Sequence, residues 1–167
     1  MTPTAASTEL AMAATHASER HPMKNSQTDG SDLIVIPSDL KEARRVQRHI
    51  EKQLKGTSFD AREIFGIRLA LEEALVNAIK HGNRLDPLKK VEIQFTVEKD
   101  RFDIQITDEG PGYVPEKVPD CKADENLTRP GGRGLFLMRH YMSEVVVRPP
   151  GNQLFMSKVH VNGADQK

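Results

Sequence analysis

The chain has 167 residues, enough for one domain with a substantial buried core. Its 24 Lys plus Arg balance 24 Asp plus Glu, so no global charge draws it to nucleic acid or to an anionic membrane. A single cysteine, Cys121, excludes an internal disulfide, and no apolar run approaches the roughly 20 residues of a membrane-spanning helix.

Residues 1–30 are rich in Ala, Ser, Thr and His without apolar periodicity and read as a disordered tail. They carry no charged-then-apolar leader, and the protein is expected in the cytoplasm. The domain is expected over 31–162, with a short tail at 163–167. Residues 33–36 form a candidate strand, Pro37 follows, and Ser38 is the expected N-cap of a helix over about 39–55. Ala43, Val46, Ile50 and Leu54 recur at helical spacing and should face the core. Lys41, Arg44, Arg45, Arg48, Lys52 and Lys55 line the opposite face, either as a solvated surface or as a dock for an acidic partner.

A second helix is expected over about 60–81. Ile64, Ile67, Leu71, Leu75 and Ala78 make its core stripe, and Phe65, Leu69, Val76 and Ile79 widen the arc, so it should be largely buried. Gly66, Ala70, Glu73 and Asn77 share another face, where two small residues leave space above a carboxylate and an amide. Gly82 is placed as the C-terminal cap, and His81 as a last-turn residue that suits the helix dipole.

Val91, Ile93, Phe95 and Val97, then Phe102, Ile104 and Ile106, alternate as an antiparallel hairpin turning at 98–101. Residues 113–130, punctuated by Pro115, Pro119 and Pro130, read as a mobile loop. A short helix over 134–142 and strands near 144–148 and 153–161 complete the chain. Strands and helices mix without regular βαβ alternation, which predicts an α+β, two-layer α/β sandwich with a mixed, largely antiparallel sheet.

Three boxes carry chemistry. Glu73 and Asn77, four residues apart, emerge on one helix face. The amide can give Mg²⁺ a neutral oxygen and the carboxylate can accept a proton from a hydroxyl; the plainer reading is an exposed Glu and a capping amide. Asp108 ends a strand on its buried side, where a carboxylate needs a donor such as an adenine amino group. Gly110 and Gly112 after it permit close ligand approach, or simply a strand-end turn. Gly131, Gly132 and Gly134 before Leu135 expose backbone N–H groups at a helix start that can hold phosphate, with Arg133 adding a bidentate cation. The alternative there is a hinge before a packed helix.

In this order the boxes resemble those of the gyrase, Hsp90, histidine-kinase and MutL ATPase superfamily. More closely, the chain resembles the anti-sigma-factor serine/threonine kinases of bacteria, over roughly residues 32–161. The resemblance implies the histidine-kinase-like ATPase fold, ATP and Mg²⁺ as cofactors, and commonly a homodimer. It implies an enzyme that binds a sigma factor and phosphorylates an anti-anti-sigma antagonist, with no direct nucleic acid or membrane partner. Carried over by motif, Asn77 ligands Mg²⁺, Asp108 binds adenine, Glu73 is the catalytic base, and the glycines contact phosphate or shape the pocket. The family often has a threonine or serine near the start of the last strand, supporting the aspartate; here Asn152 and Gln153 stand there. Two other readings are an ATP-binding anti-sigma module without kinase activity and a detached histidine-kinase ATPase domain.

Overall fold

The computed structural model describes residues 30–112 and 132–161. The tails expected at 1–30 (Gly30 apart) and 163–167, the loop expected over 113–130 with its Cys121, and Gly131 lie outside the described residues.

The alternating runs fold as strands because their period of two puts one apolar row on one face. β1 (Asp32–Pro37), β2 (Lys90–Val97), β3 (Arg101–Asp108), β4 (Glu144–Arg148) and β5 (Gln153–Val159) form one sheet in the order β1-β2-β3-β5-β4. Val91, Ile93, Phe95, Phe102, Ile104, Ile106 and Met156 are buried against the helical layer. Each such side chain contributes about 1.5–3 kcal/mol on leaving water. The polar partners Glu92, Gln94 and Gln105 lie on the other face.

Every strand pair is antiparallel, so the expected mixed sheet is corrected to a purely antiparallel one. The reason is topological. β3 and β4 run in the same direction, and α3 lies between them in the chain, but β5 inserts between them and pairs antiparallel with both.

α1 (Leu40–Leu54) buries Ala43, Val46, Ile50 and Leu54, as its spacing requires, and exposes every member of the basic stripe. Its N-cap is Asp39 rather than Ser38: the Asp39 carboxylate accepts from the Lys41 N–H at 2.7 Å. The Ser38 hydroxyl is committed elsewhere, donating to the Lys89 carbonyl at 3.0 Å.

α2 (Ala61–Val76) starts at a reciprocal capping box, with Asp60 accepting from the Glu63 N–H at 2.8 Å and Glu63 accepting from the Asp60 N–H at 3.0 Å. It then widens into a π-helical segment, Asn77–Gly82, so the single helix expected over 60–81 is two elements. Gly82 is the last residue of that segment and not a left-handed cap; the left-handed residues are Arg84 and Leu85, at φ 57° and 58°. Phe65 leaves the expected buried arc, staying 46% exposed with the Arg68 guanidinium 5.0 Å above its ring.

α3 (Gly132–Tyr141) packs on α2 through glycines at both ends. A Cβ on Gly66 would overlap the Tyr141 ring, and one on Gly134 would overlap the Glu73 carboxylate. The space expected above Gly66 is therefore filled by α3.

Candidate functional site

The three boxes converge at one end of the helical layer. Glu73 lies in the last turn of α2 and Asn77 opens the π segment, both half-buried. Neither side chain has a hydrogen bond or ion pair among the described residues. A π turn displaces the residues beyond it relative to a regular helix, and such turns concentrate at functional sites. Here it carries Gly82 against Asp108.

Asp108 stands opposite Val91 in the sheet and so faces the helical layer, as alternation predicts. A Cβ on Gly82 would collide with the Asp108 carboxylate, and one on Gly110 would collide with the Gly82 carbonyl. These two glycines let helix end and strand end meet at backbone distance. The Asp108 Oδ1 accepts from the Gly110 N–H at 2.8 Å, while its Oδ2 has no partner among the described residues. Burial pushes the Asp108 carboxyl above its ordinary value; the Gly110 N–H and the nearby Lys89 charge oppose that rise. A half-buried carboxylate with one open oxygen is an acceptor awaiting a donor.

Asn152, standing where a threonine or serine was expected, clasps the backbone of Asp108 from the other side. The Asp108 N–H donates to the Asn152 carbonyl at 3.0 Å, and the Asn152 amide donates back to the Asp108 carbonyl at 3.0 Å. Gln153 donates to the Thr107 hydroxyl at 3.3 Å. Gly112 adopts φ +79°, and a Cβ there would strike the Pro150 carbonyl in the β4–β5 turn.

From Gly132 on, the third box forms the first turn of α3. Gly132 begins the helix, Arg133 is exposed, Gly134 lies against Glu73, and Leu135 anchors the turn in the core. The first N–H groups of a helix have no partners within it and favour anions. Direct packing thus joins Glu73 to Gly134 and, through Gly82, Asp108 to Gly110; the π segment that Asn77 opens and Gly82 ends connects the two contacts, and Gly112 lies on the flank at the β4–β5 turn.

These residues fit a Mg²⁺-nucleotide. The fit rests on the open Asp108 oxygen, the glycine-lined contacts and an uncommitted amide one turn from an uncommitted carboxylate. Among the described residues no group of three or more His, Cys, Asp or Glu side chains gathers as a metal site. Mg²⁺ uses few protein ligands and takes the rest from phosphate and water.

Sequence reasoning assigned no role to Asn83. It is fully buried and its side chain makes three hydrogen bonds at the edge of the site. The available signal was an amide directly after the helix-ending Gly82, where a solvated polar residue would be unremarkable.

The sequence matches the histidine kinase-like ATPase domain family over residues 36–158. It is 33% identical to the serine-protein kinase RsbW of Staphylococcus aureus over 111 residues, spanning 62% of this chain and 69% of that protein. Against RsbW of Bacillus licheniformis the figures are 31%, 56% and 61%, so the match spans less than two thirds of that relative. Against RsbW of Bacillus subtilis (strain 168) they are 29%, 65% and 70%. With an antiparallel five-stranded sheet under three helices, and a family match over most of its length, the chain belongs to the histidine kinase-like ATPase domain family.

Proposed function

We propose that the protein is a Mg²⁺- and ATP-dependent anti-sigma factor that binds a sigma factor and phosphorylates a serine or threonine on an anti-anti-sigma antagonist. The observation that carries this reading is the Glu73 carboxylate, half-buried at the α2–α3 contact, one turn from Asn77, with no ion-pair partner among the described residues. Likeness to the RsbW serine-protein kinases supports the reaction class.

In this mechanism Asp108 accepts the adenine amino group through its open oxygen. The first turn of α3 and Arg133 receive phosphate oxygens, and the Asn77 amide oxygen ligands the metal. Mg²⁺, when bound, neutralises phosphate charge as the phosphoryl group is transferred. Glu73 takes the proton of the acceptor hydroxyl as its oxygen bonds to the γ-phosphorus, and the bond to the bridging oxygen breaks to release ADP. The basic face of α1 docks an acidic surface of a partner protein. Leu33 and Val35, 60% and 51% exposed on the outer sheet face, support a homodimer. A cytoplasmic location follows from a sigma-factor partner. Among the described residues no helix is long and apolar enough to cross a membrane.

The test is single-turnover transfer from labelled ATP to candidate antagonist proteins. Glu73→Gln keeps size and helix but removes proton acceptance, so transfer should fall by roughly 10²–10⁴ while ATP affinity persists. Near-normal transfer by the variant would remove Glu73 as base. Absence of transfer by the wild type, with ATP bound, would favour a binding module that keeps ATP as a structural ligand.

A further inference from the structure

Beyond the π segment the chain makes a turn with two consecutive left-handed residues, Arg84 and Leu85. Non-glycine residues in this region are strained and persist where surrounding bonds hold them. The holding bonds are present. The Asn83 N–H donates to the Ala78 carbonyl at 2.8 Å and the Leu85 N–H to the Ile79 carbonyl at 2.9 Å. The turn delivers the Asn83 side chain into the interior, fully buried.

Every polar atom of that side chain is used. Its Nδ2 donates to the Ser38 Oγ at 2.8 Å and to the Lys90 carbonyl at 2.8 Å. Its Oδ1 accepts the Glu109 N–H at 2.8 Å. The partners fix the amide's orientation, because a carbonyl requires the NH₂ group and an N–H requires the oxygen. Ser38 passes the link to the Lys89 carbonyl, and the Lys90 N–H donates to the Glu109 carboxylate. One amide therefore joins the end of the π segment, the β1–α1 junction, the start of β2 and the residue that follows Asp108.

We infer that Asn83 is a positioning residue for base recognition, holding the Asp108–Gly110 loop at the depth where the open Asp108 oxygen meets the adenine amino group. The inference rests on the adenine reading of Asp108 given above. Glu109 is the next residue after Asp108, so its N–H shares a peptide plane with the Asp108 Cα that carries the carboxylate, and fixing the one fixes where the other starts. Releasing the Asn83–Glu109 bond leaves a buried N–H without a partner and frees the loop to swing away from Gly82. Asn152 on the far side holds only the backbone of Asp108, and the Lys90 N–H holds only the flexible Glu109 carboxylate, so neither replaces the lost bond to the Glu109 N–H.

The experiment compares ATP with purine riboside 5′-triphosphate, which lacks only the amino group, by calorimetric titration of the full chain with Mg²⁺. Wild type should prefer ATP. Asn83→Ala should lose about tenfold in ATP affinity and keep its affinity for the analogue within about twofold, so selectivity collapses. Ser38→Ala, which removes one support and leaves the Glu109 bond, should lose selectivity in the same direction by a smaller factor. It carries the test if Asn83→Ala does not fold. Equal weakening toward both nucleotides, with the ATP preference intact, would overturn the inference and leave Asn83 a purely structural residue. A wild type that binds both equally would overturn the adenine reading of Asp108 itself, and this inference with it.

Discussion

Gly82→Ala separates two accounts of this glycine. A left-handed cap would make alanine costly to stability and harmless to binding. Gly82 is instead the contact through which the helix end reaches Asp108. A Cβ there would lie within 3.0 Å of the Asp108 carboxylate carbon and both of its oxygens, closer than real Cβ atoms come. The carboxylate must therefore move. Overpacking of this kind costs about 1–3 kcal/mol. Replacing a helical glycine by alanine returns about 0.5–1 kcal/mol, so the net loss of stability should stay below about 2.5 kcal/mol. Affinity should suffer more, because the displaced group is the proposed adenine acceptor. Losing one hydrogen bond to a charged group costs about 1.5–3 kcal/mol, which is roughly tenfold to a hundredfold in Kd. Calorimetric titration with Mg·ATP reads the affinity, and urea unfolding reads the stability. Gly56→Ala is the control: a Cβ at Gly56 meets only the Gln53 carbonyl, at 3.5 Å. A folded Gly82→Ala protein that binds Mg·ATP as tightly as wild type would refute the contact argument.

Two further outcomes are expected. Because burial raises the Asp108 carboxyl in the folded state, the folded protein holds that proton more tightly than the unfolded chain. Its contribution to stability is then full below the ordinary value of 3.8 and is lost as pH rises through the raised folded-state value. Asp108→Asn should therefore gain stability relative to wild type across the window just above pH 3.8 while losing ATP affinity; urea unfolding from acid to neutral pH checks the sign, and a constant difference would contradict it. Reversing the exposed Arg45 and Arg48 to Glu should slow association with an acidic partner and flatten its salt dependence, read by stopped-flow; unchanged rates and slopes would leave the stripe merely solvated.

Local pattern was enough for much of the architecture. The apolar spacing of α1, the alternation of β2 and β3 and the side of the sheet on which Asp108 falls are all set within a few residues by helix and strand periods. The order of the three boxes already pointed to the family to which the chain belongs. What local pattern lacks is information about who packs against whom. Ser38 looked like a cap until the buried Asn83 claimed its hydroxyl, a contact across 45 positions. Gly82 looked like a helix terminator from its place in the chain, and the Asp108 it packs against arrives from β3, beyond the reach of local pattern. Gly66, with Ala70, looked like space above a carboxylate and an amide, and Tyr141 of α3 packs against Gly66. The purely antiparallel sheet followed from β5 inserting between β3 and β4, a choice of strand neighbour that no single segment encodes. The chemistry of each box was written in adjacent residues; the contacts that gather the boxes, and the Asn83 bonds that hold the Asp108 loop, exist only when distant segments are packed. Short-range periodicity is a property of the chain, while a buried amide satisfied by three separate elements is a property of the fold.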